Sequence, residues 1–529
     1  MTHLFLCQIG PVQPFIAAGR RTQDLYVGSR ILSQLARAGL SAVSEGEGFE
    51  PIFPMIYAGK LPTGIPHRFA FLCDEDPIVV GKVAEDAVRD MWRLGYAEKV
   101  YVGLRDWVGD GDWGTVFERQ RDNWLEFYWV AVPYNQNEHS ESFLTVSRAM
   151  AQRKLLRQFA QIEEGGRKCT LTGSQSALPL DWDKLKKRLS DKRDILFRPH
   201  EYLGTTALVK RLVQFTDADL GMDDKNFRPP STSDIAGIGR DETEDKSKRG
   251  KQVEGYLAVL HMDGDGMGRN LSAIRELKLH QQFSQKLAEF ADVHVPRIIQ
   301  EYGGENATLV YAGGDDVLAL LPLRNVLSCA NELQKTFSSI LEKAFPQLGK
   351  FTTSAGIAIT PHDFPLDVAL EMARNAEEIA KDNYRITPKQ RGEMGYGAIV
   401  VTEAHSTGMI REAGGNWDVV PLMDALIGYF ADDTLSGKLG YDILTIAHDM
   451  GGRVPADARQ AELKRIIIRR LSEKIPTDDK KSFADDLANQ ISRLAEQKDA
   501  NGNLRWQDMA HWTILARFIA KPPKQGAVI

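Results

Sequence analysis

The sequence predicts an α+β protein containing two ferredoxin-like units, with helical segments between and after them. Three observations carry this expectation. Short apolar runs of strand length alternate with longer runs of helical periodicity, and the order strand, helix, strand, strand, helix occurs twice. A Pro-, Ser- and charge-rich stretch from Phe227 to Gln252 separates the two occurrences and has nothing to bury. The chain's 529 residues are also too many for one hydrophobic core.

In the first unit, "HLFLCQIG" reads as a buried strand and "PFIAAGRRTQDLYVGSRILSQLARAGLSAV" as a helix. "PIFPMIYAG" and "HRFAFLC", joined by the turn-rich "KLPTGIP", read as a hairpin, and "PIVVGKVAEDAVRDMWRLGYA" as a second helix. Residues 111–225, with their Trp-rich start, read as mainly helical. In the second unit "GYLAVLHMDGDGMG" reads as a buried strand ending in a turn. An amphipathic helix, the hairpin "ATLVYAGGDDVLALLP", a helix, the strand "FTTSAGIAI", another helix and the strand "GAIVVTEA" follow. The stretch from about 415 onward reads as helical. The expected domains are 1–110, a palm-like unit without catalytic carboxylates; 111–250, mainly helical; 251–410, a palm-like unit with the acidic motifs; and 411–529, helical. Tyr57-Ala58-Gly59 echoes Tyr311-Ala312-Gly313 at the corresponding hairpin, a weak sign that the halves are related.

Composition narrows the class. The chain is 43% hydrophobic and 26% charged, and no apolar run approaches the roughly 18–20 residues that span a bilayer. The start lacks a basic n-region and a cleavage site, and the four cysteines form no CxxC pair. A cytoplasmic protein without membrane contact is expected. The net charge of −6 gives no bulk sign of nucleic-acid binding. Two basic runs, Lys184 to Arg193 and Leu463 to Leu471, read first as solvated helix faces and second as RNA-contacting patches.

The chemistry lies in two acidic clusters of the second unit. Asp263 and Asp265 end its first strand, and Asp315 and Asp316 sit at the hairpin turn. A helix crossing between them returns the hairpin beside that strand, so both clusters reach one sheet end. Carboxylates displayed this way suit two Mg²⁺ or Mn²⁺ ions roughly 4 Å apart, which lower the pKa of an attacking hydroxyl and stabilise charge on a transferring phosphoryl group. Gly313 and Gly314 let the backbone approach a triphosphate. Lys381, in "EEIAKD", is a candidate phosphate contact. Ser354 and Gly356 are candidates to line the nucleotide pocket, or simply to permit close packing. Either acidic motif alone is an ordinary turn; the pair in this order favours a metal site.

The ordered set of motifs resembles the large, polymerase-like subunit of type III CRISPR effector complexes, in its Cmr-type (III-B) form. "IGPVQPFIAAGRRTQDLYVGSRILSQL" is similar to that subunit's N-terminal signature. "IPHRFAFL", "FYWVAVP", "EYLGTTALVKRL" and "FRPPSTSDIA" are similar to its later landmarks, and "MDGDGMG", "YAGGDDVLALLP", "TTSAGIAI" and "AEEIAKD" to its catalytic palm. The resemblance implies two palm domains, nucleotide cyclase- or polymerase-like in fold, and condensation of ATP into cyclic oligoadenylate when the complex holds target RNA. It also implies partnership with the backbone and small subunits of the complex and, through them, with crRNA and target RNA. It carries catalytic and metal roles onto Asp263, Asp315 and Asp316, with the Gly264 carbonyl as a further ligand and Asp265 as a lesser one.

Two departures from the family pattern set further expectations. The palm signature starts within ten residues of Met1, so no HD nuclease domain and no DNA cleavage are expected, and His362-Asp363 and His448-Asp449 read as structural. "GGRKCTLTGSQSAL" keeps Cys169 but has Thr172 where a second thiolate belongs, so a zinc site is not expected. Three products remain open on the residues alone: cyclic oligoadenylate, AMP transferred to another acceptor such as S-adenosylmethionine, or a cyclic dinucleotide. A non-catalytic scaffold of the crRNA complex is the fourth reading.

Overall fold

The computed structural model describes residues 1–55, 61–156, 164–190, 197–222, 227–238, 255–385, 397–404, 410–499 and 502–522. Tyr57–Gly59 and most of the expected linker, from residue 239 on, lie outside the described residues. The chain divides into two compact units. One comprises Met1–Pro229, Gly266–Val293 and Val310–Gly314; the other comprises Pro230–Asp265, His294–Leu309 and Asp315–Ile529.

The first unit carries a four-stranded sheet of β1 (His3–Gly10), β2 (Glu50–Phe53), β3 (Arg68–Cys73) and β4 (Glu126–Pro133), in the order β2-β3-β1-β4. β1 pairs antiparallel with β3 on one side and with β4 on the other. The helix Thr22–Val43 crosses over after β1, as the periodicity predicts, and buries Leu25, Ile31, Leu35 and Leu40. Residues 126–133 differ from the expected helical reading of 111–225: after the helix Trp113–Trp124 they form β4, so the first sheet extends past residue 110. "EFYWVAVP" is rich in aromatic and β-branched residues that fit a pleated, half-buried surface, but its partner lies more than a hundred residues earlier. The rest of that stretch carries helices at His139–Leu155, Trp182–Arg188 and Thr205–Leu212, with turns and an isolated Lys168–Ser176 bridge between the first two.

The second sheet has six strands: β5 (Tyr256–Gly264), β6 (Thr308–Ala312), β7 (Val317–Pro322), β8 (Thr353–Pro361), β9 (Ala398–Ala404) and β10 (Ile410–Asn416). Their order is β10-β9-β8-β5-β7-β6, so the strands β8-β5-β7-β6 repeat the fourth-first-third-second arrangement of the first sheet. β5 pairs antiparallel with β7 and with β8, and β8 pairs parallel with β9 through the helix Leu366–Ile379. Strand β10 was not expected from "IREAGGN", whose glycines and charges argue against a strand. Its Gly414 is needed because a Cβ there would lie 2.2 Å from the Tyr384 ring.

After β10 the described C-terminal part is helical. Its last helix, Trp506–Ala520, docks on β10 through Trp512, whose indole N–H donates to the Gly414 carbonyl at 3.1 Å. In the expected linker, Thr232–Ile235 forms a single helical turn with a reciprocal Ser231–Asp234 capping box. Among the described residues no helix is long and apolar enough to cross a membrane.

Candidate active site

β5 is buried along nearly its whole length and delivers its last residues to one end of the sheet. The register sets Asp263 opposite Ser354 and Gly264 opposite Thr353 on β8. On the other side the last registered pair is Met262–Val317, which places Asp316 one step beyond it, beside Asp263. The turn between β6 and β7 needs its second glycine: Gly314 has φ +98°, a left-handed backbone unfavourable for any residue with a Cβ. Gly313 faces open space, with nothing within 4 Å of a Cβ built there.

The electrostatics of Asp263 and Asp315 are coupled. Burial, and then the charge of Asp263, push the Asp315 carboxyl up to about 7, only partly offset by a backbone hydrogen bond and by Lys381. Lys381 is ion-paired with Asp263 and, at 2.6 Å, with Glu377 four residues earlier on the same helical run. Burial opposes the charge on Lys381, but the two carboxylates outweigh it and hold the ammonium above the usual lysine range. Glu377, almost fully buried, is raised by burial and by Asp263 and Asp265 despite Lys381.

His261, missed in the sequence, stands between these groups. It shares the Asp263 face of β5 at a spacing of two, with Nε2 3.6 Å from Asp316 Oδ1 and Nδ1 3.9 Å from Glu377 Oε2. Burial, then Arg374 and Lys381, lower it to about 4, so the imidazole is neutral. Period-two alternation from Asp263 and an i,i+4 step back from Lys381 were the signals available for His261 and Glu377.

Asp265 occupies a different setting. Its Oδ2 accepts from Thr352 Oγ1 at 2.7 Å and its Oδ1 from Ser354 Oγ at 2.8 Å, with Arg385 3.3 Å away. Both oxygens are thus engaged by the chain itself, and Ser354, fully buried, spends its hydroxyl on Asp265. Gly356 serves close packing: a Cβ there would lie 2.0 Å from the Ala373 carbonyl oxygen and 2.3 Å from the Glu377 nitrogen. The missing side chain lets the Leu366–Ile379 helix press onto β8 and bring Glu377 and Lys381 to the carboxylates. The structure therefore brings together Asp263, Asp315, Asp316 and Lys381, and ties Asp265 to Ser354.

Among the described residues no three His, Cys, Asp or Glu side chains converge into a metal cage. That donor set still fits Mg²⁺ or Mn²⁺, which are commonly held by one or two carboxylates and complete their shell with phosphate and water. The mutual repulsion of Asp263 and Asp315 is what a bound cation would relieve.

Residues 256–387 match the family described as Cas10/Cmr2, second palm domain, and residues 4–92 match CRISPR-associated protein Cmr2, N-terminal. Both matches are to Cas10/Cmr2-type domains, and the chain is similar to that family at both places. It is 23% identical to the CRISPR system Cmr subunit Cmr2 of Pyrococcus furiosus, over 70% of this chain and 59% of that protein. The chain thus spans about three fifths of that relative's length. It is 26% identical, over 24% of its length and 17% of the relative's, to the CRISPR system single-strand-specific deoxyribonuclease Cas10/Csm1 of Streptococcus thermophilus. In fold it is similar to a chain of the type III-B Cmr-beta complex bound to cognate target RNA, with TM-score 0.70, 13% identity and coverage of 98% of this chain and 83% of that one. A chain of a Csm1–Csm4 cassette in complex with AMPPNP is also similar, with TM-score 0.52, 13% identity and coverage of 98% and 70%.

The two HD dipeptides and Cys169 have local partners. The His362 ring N–H donates to the Gly255 carbonyl at 3.3 Å, and His448 lies 3.0 Å from its exposed neighbour Asp449. The Thr172 backbone N–H donates to Cys169 Sγ at 3.5 Å.

Proposed function

We propose that this chain is the catalytic large subunit of a type III-B CRISPR effector complex, an RNA-activated nucleotidyltransferase that condenses ATP into cyclic oligoadenylate. The observation that carries the reading is the placement of Asp263, Asp315 and Asp316 at one sheet end, where burial and the charge of Asp263 raise the proton affinity of Asp315. The two domain matches support it, as do the Csm1–Csm4 cassettes solved with AMPPNP and with cA4, whose fold this chain resembles. Partnership with the other Cmr subunits and, through them, with crRNA and target RNA follows the same resemblance.

When bound, Mg²⁺ or Mn²⁺ supplies charge neutralisation on the phosphates and acidifies the attacking 3′-hydroxyl. The chain's own residues orient and neutralise. Asp263, Asp315 and Asp316 present oxygens, with the Gly264 carbonyl beside them. Gly313 leaves room for the triphosphate. Lys381, ion-paired with Asp263, would be placed to contact a phosphate oxygen of the bound nucleotide. Neutral His261 lies between Asp316 and Glu377 at 3.6 and 3.9 Å, too far for a direct hydrogen bond to either, and adds no charge to the site. Asp265, clamped by Thr352, Ser354 and Arg385, fixes the strand end from which Asp263 projects.

The test is incubation of the assembled complex with matching target RNA, Mg²⁺ or Mn²⁺ and each labelled nucleoside triphosphate in turn. A cyclic oligoadenylate from ATP alone, absent for Asp315→Ala/Asp316→Ala, is expected. Product that survives the double substitution would remove the carboxylates from the chemistry. An equal yield from GTP would refute the adenylate assignment.

A further inference from the structure

We propose that an exposed cationic face around Tyr202, in the first unit, binds the phosphate backbone of single-stranded nucleic acid directly. The proposal stands independently of the chemistry at Asp315. The face is built from segments distant in sequence. The Arg167 guanidinium lies 3.9 Å from the centre of the Tyr202 ring and the Lys186 ammonium 4.8 Å from it. Lys186 Nζ also donates to the Pro199 carbonyl at 2.8 Å, beside Arg198, and Arg20 donates to the Thr170 carbonyl at 3.1 Å. The Thr170 N–H in turn donates to the Tyr202 carbonyl. Lys168 and Lys187 extend the face, and both are exposed.

None of these six cations has a carboxylate partner among the described residues; where they are satisfied, backbone carbonyls or a ring satisfy them, which leaves their charge uncompensated. Glu164 is committed to Arg119 and Gln120, Asp181 to the Lys184 N–H as a helix cap, and Glu201 to buried Arg211, while Asp183, exposed on the helix of Lys186 and Lys187, is the one described carboxylate of that helix near them. The other basic run behaves differently. In the helix Ala456–Arg470, Lys464 pairs with Asp485, Arg465 with Glu462 and Arg470 with Asp442. A face with six cations that form no ion pair among the described residues, on a chain of net charge −6, suits a polyanion. No large hydrophobic residue between 164 and 205 is exposed among the described residues, so the face lacks the apolar anchors of a protein interface or a membrane-inserting surface. Ring-held guanidinium and mobile ammonium groups suit phosphates in series.

The test uses the full chain, fluorescence anisotropy and labelled oligouridylate or oligothymidylate of roughly 16 nucleotides, at several KCl concentrations. Arg167→Gln/Lys187→Gln/Arg198→Gln should weaken binding at least tenfold. It should also flatten the slope of log affinity against log salt by about 2, at about 0.7 per phosphate contact. Arg167→Lys/Arg198→Lys should retain most of the affinity, which separates charge from folding, and thermal melts of both variants should match wild type. A preference between the two strands identifies RNA or DNA as the source of the phosphates. Unchanged affinity and slope in the glutamine variant would overturn the proposal. So would displacement of the strand by polyglutamate at equal charge concentration, which would assign the face to an acidic protein.

Discussion

Asp315 is the residue on which the site's behaviour turns. Its carboxyl is held up to about 7 by burial and by Asp263, against an ordinary value of 3.8. The folded protein without cation therefore binds a proton there that the unfolded chain has already lost, and stability falls as pH rises from the ordinary carboxylate value through about 7. Asp315→Asn should abolish that fall. At pH above 7 it should make the cation-free protein more stable than wild type by on the order of 1 kcal/mol, after allowance for solvent screening. Thermal melts across the pH range, with and without Mg²⁺, check this, since a bound cation favours the charged form and should erase the difference. At sub-saturating Mg²⁺, where proton and cation compete for Asp315, product formation should rise with pH. Asp315 was visible in the sequence as half of an acidic pair; its raised proton affinity was not, because burial at the turn depends on side chains brought in by other elements.

At the scale of elements, the site is made by two close approaches, one structural and one open. Gly356 lets the Leu366–Ile379 helix reach β8, with backbone atoms as close as 2.0 Å to a Cβ built there. Gly356→Ala must move that helix, and Glu377 and Lys381 with it. A loss of about 1–3 kcal/mol of stability is expected, together with a fall in kcat. Gly313 meets nothing, so Gly313→Ala should leave the melting temperature unchanged and raise KM for the nucleotide if the triphosphate passes there. These two variants, measured by melting and by steady-state kinetics, separate packing from substrate approach. The strands β5 to β9 were legible because their buried runs are local and their ends carry turn residues. β4 and β10 were not. The first is an aromatic run directly after a helix and pairs with β1 across a long separation; the second, with Gly414 and Gly415, is held by Tyr384 and Trp512 from other segments. His261 and Glu377 followed simple spacings from Asp263 and Lys381, yet neither residue type announces a role without the register that joins them.

Across the whole chain, the segments that read as separate helical insertions are tied into the first unit by buried charge. Arg211, on the helix Thr205–Leu212, pairs with Asp24 at 2.6 Å and with Glu201 at 3.0 Å, all three only about 1% exposed. Burial opposes ionisation of Asp24, but Arg211 prevails and holds its carboxyl below the usual range. Lys210, beside it, caps the carbonyls of Phe15 and Ala18 at the end of the first helical turn. Arg211→Met would leave two buried carboxylates without their partner and should cost about 3–5 kcal/mol, read as a lower denaturant midpoint. Adding Asp24→Asn and Glu201→Gln should recover much of that loss. No sequence pattern exposes this triad, because Asp24 lies 187 residues before Arg211, although Glu201 is only ten residues from it.

The central claim is that Asp263, Asp315 and Asp316 together hold a metal-bound nucleotide. Its most direct measurement is the electron paramagnetic resonance of Mn²⁺ titrated into the chain with a non-hydrolysable ATP analogue, for wild type and for Asp315→Asn/Asp316→Asn. The account predicts a bound Mn²⁺ signal that requires the analogue in wild type and is lost in the double variant, whose fold the melt shows intact. Equal Mn²⁺ binding by both proteins would contradict it.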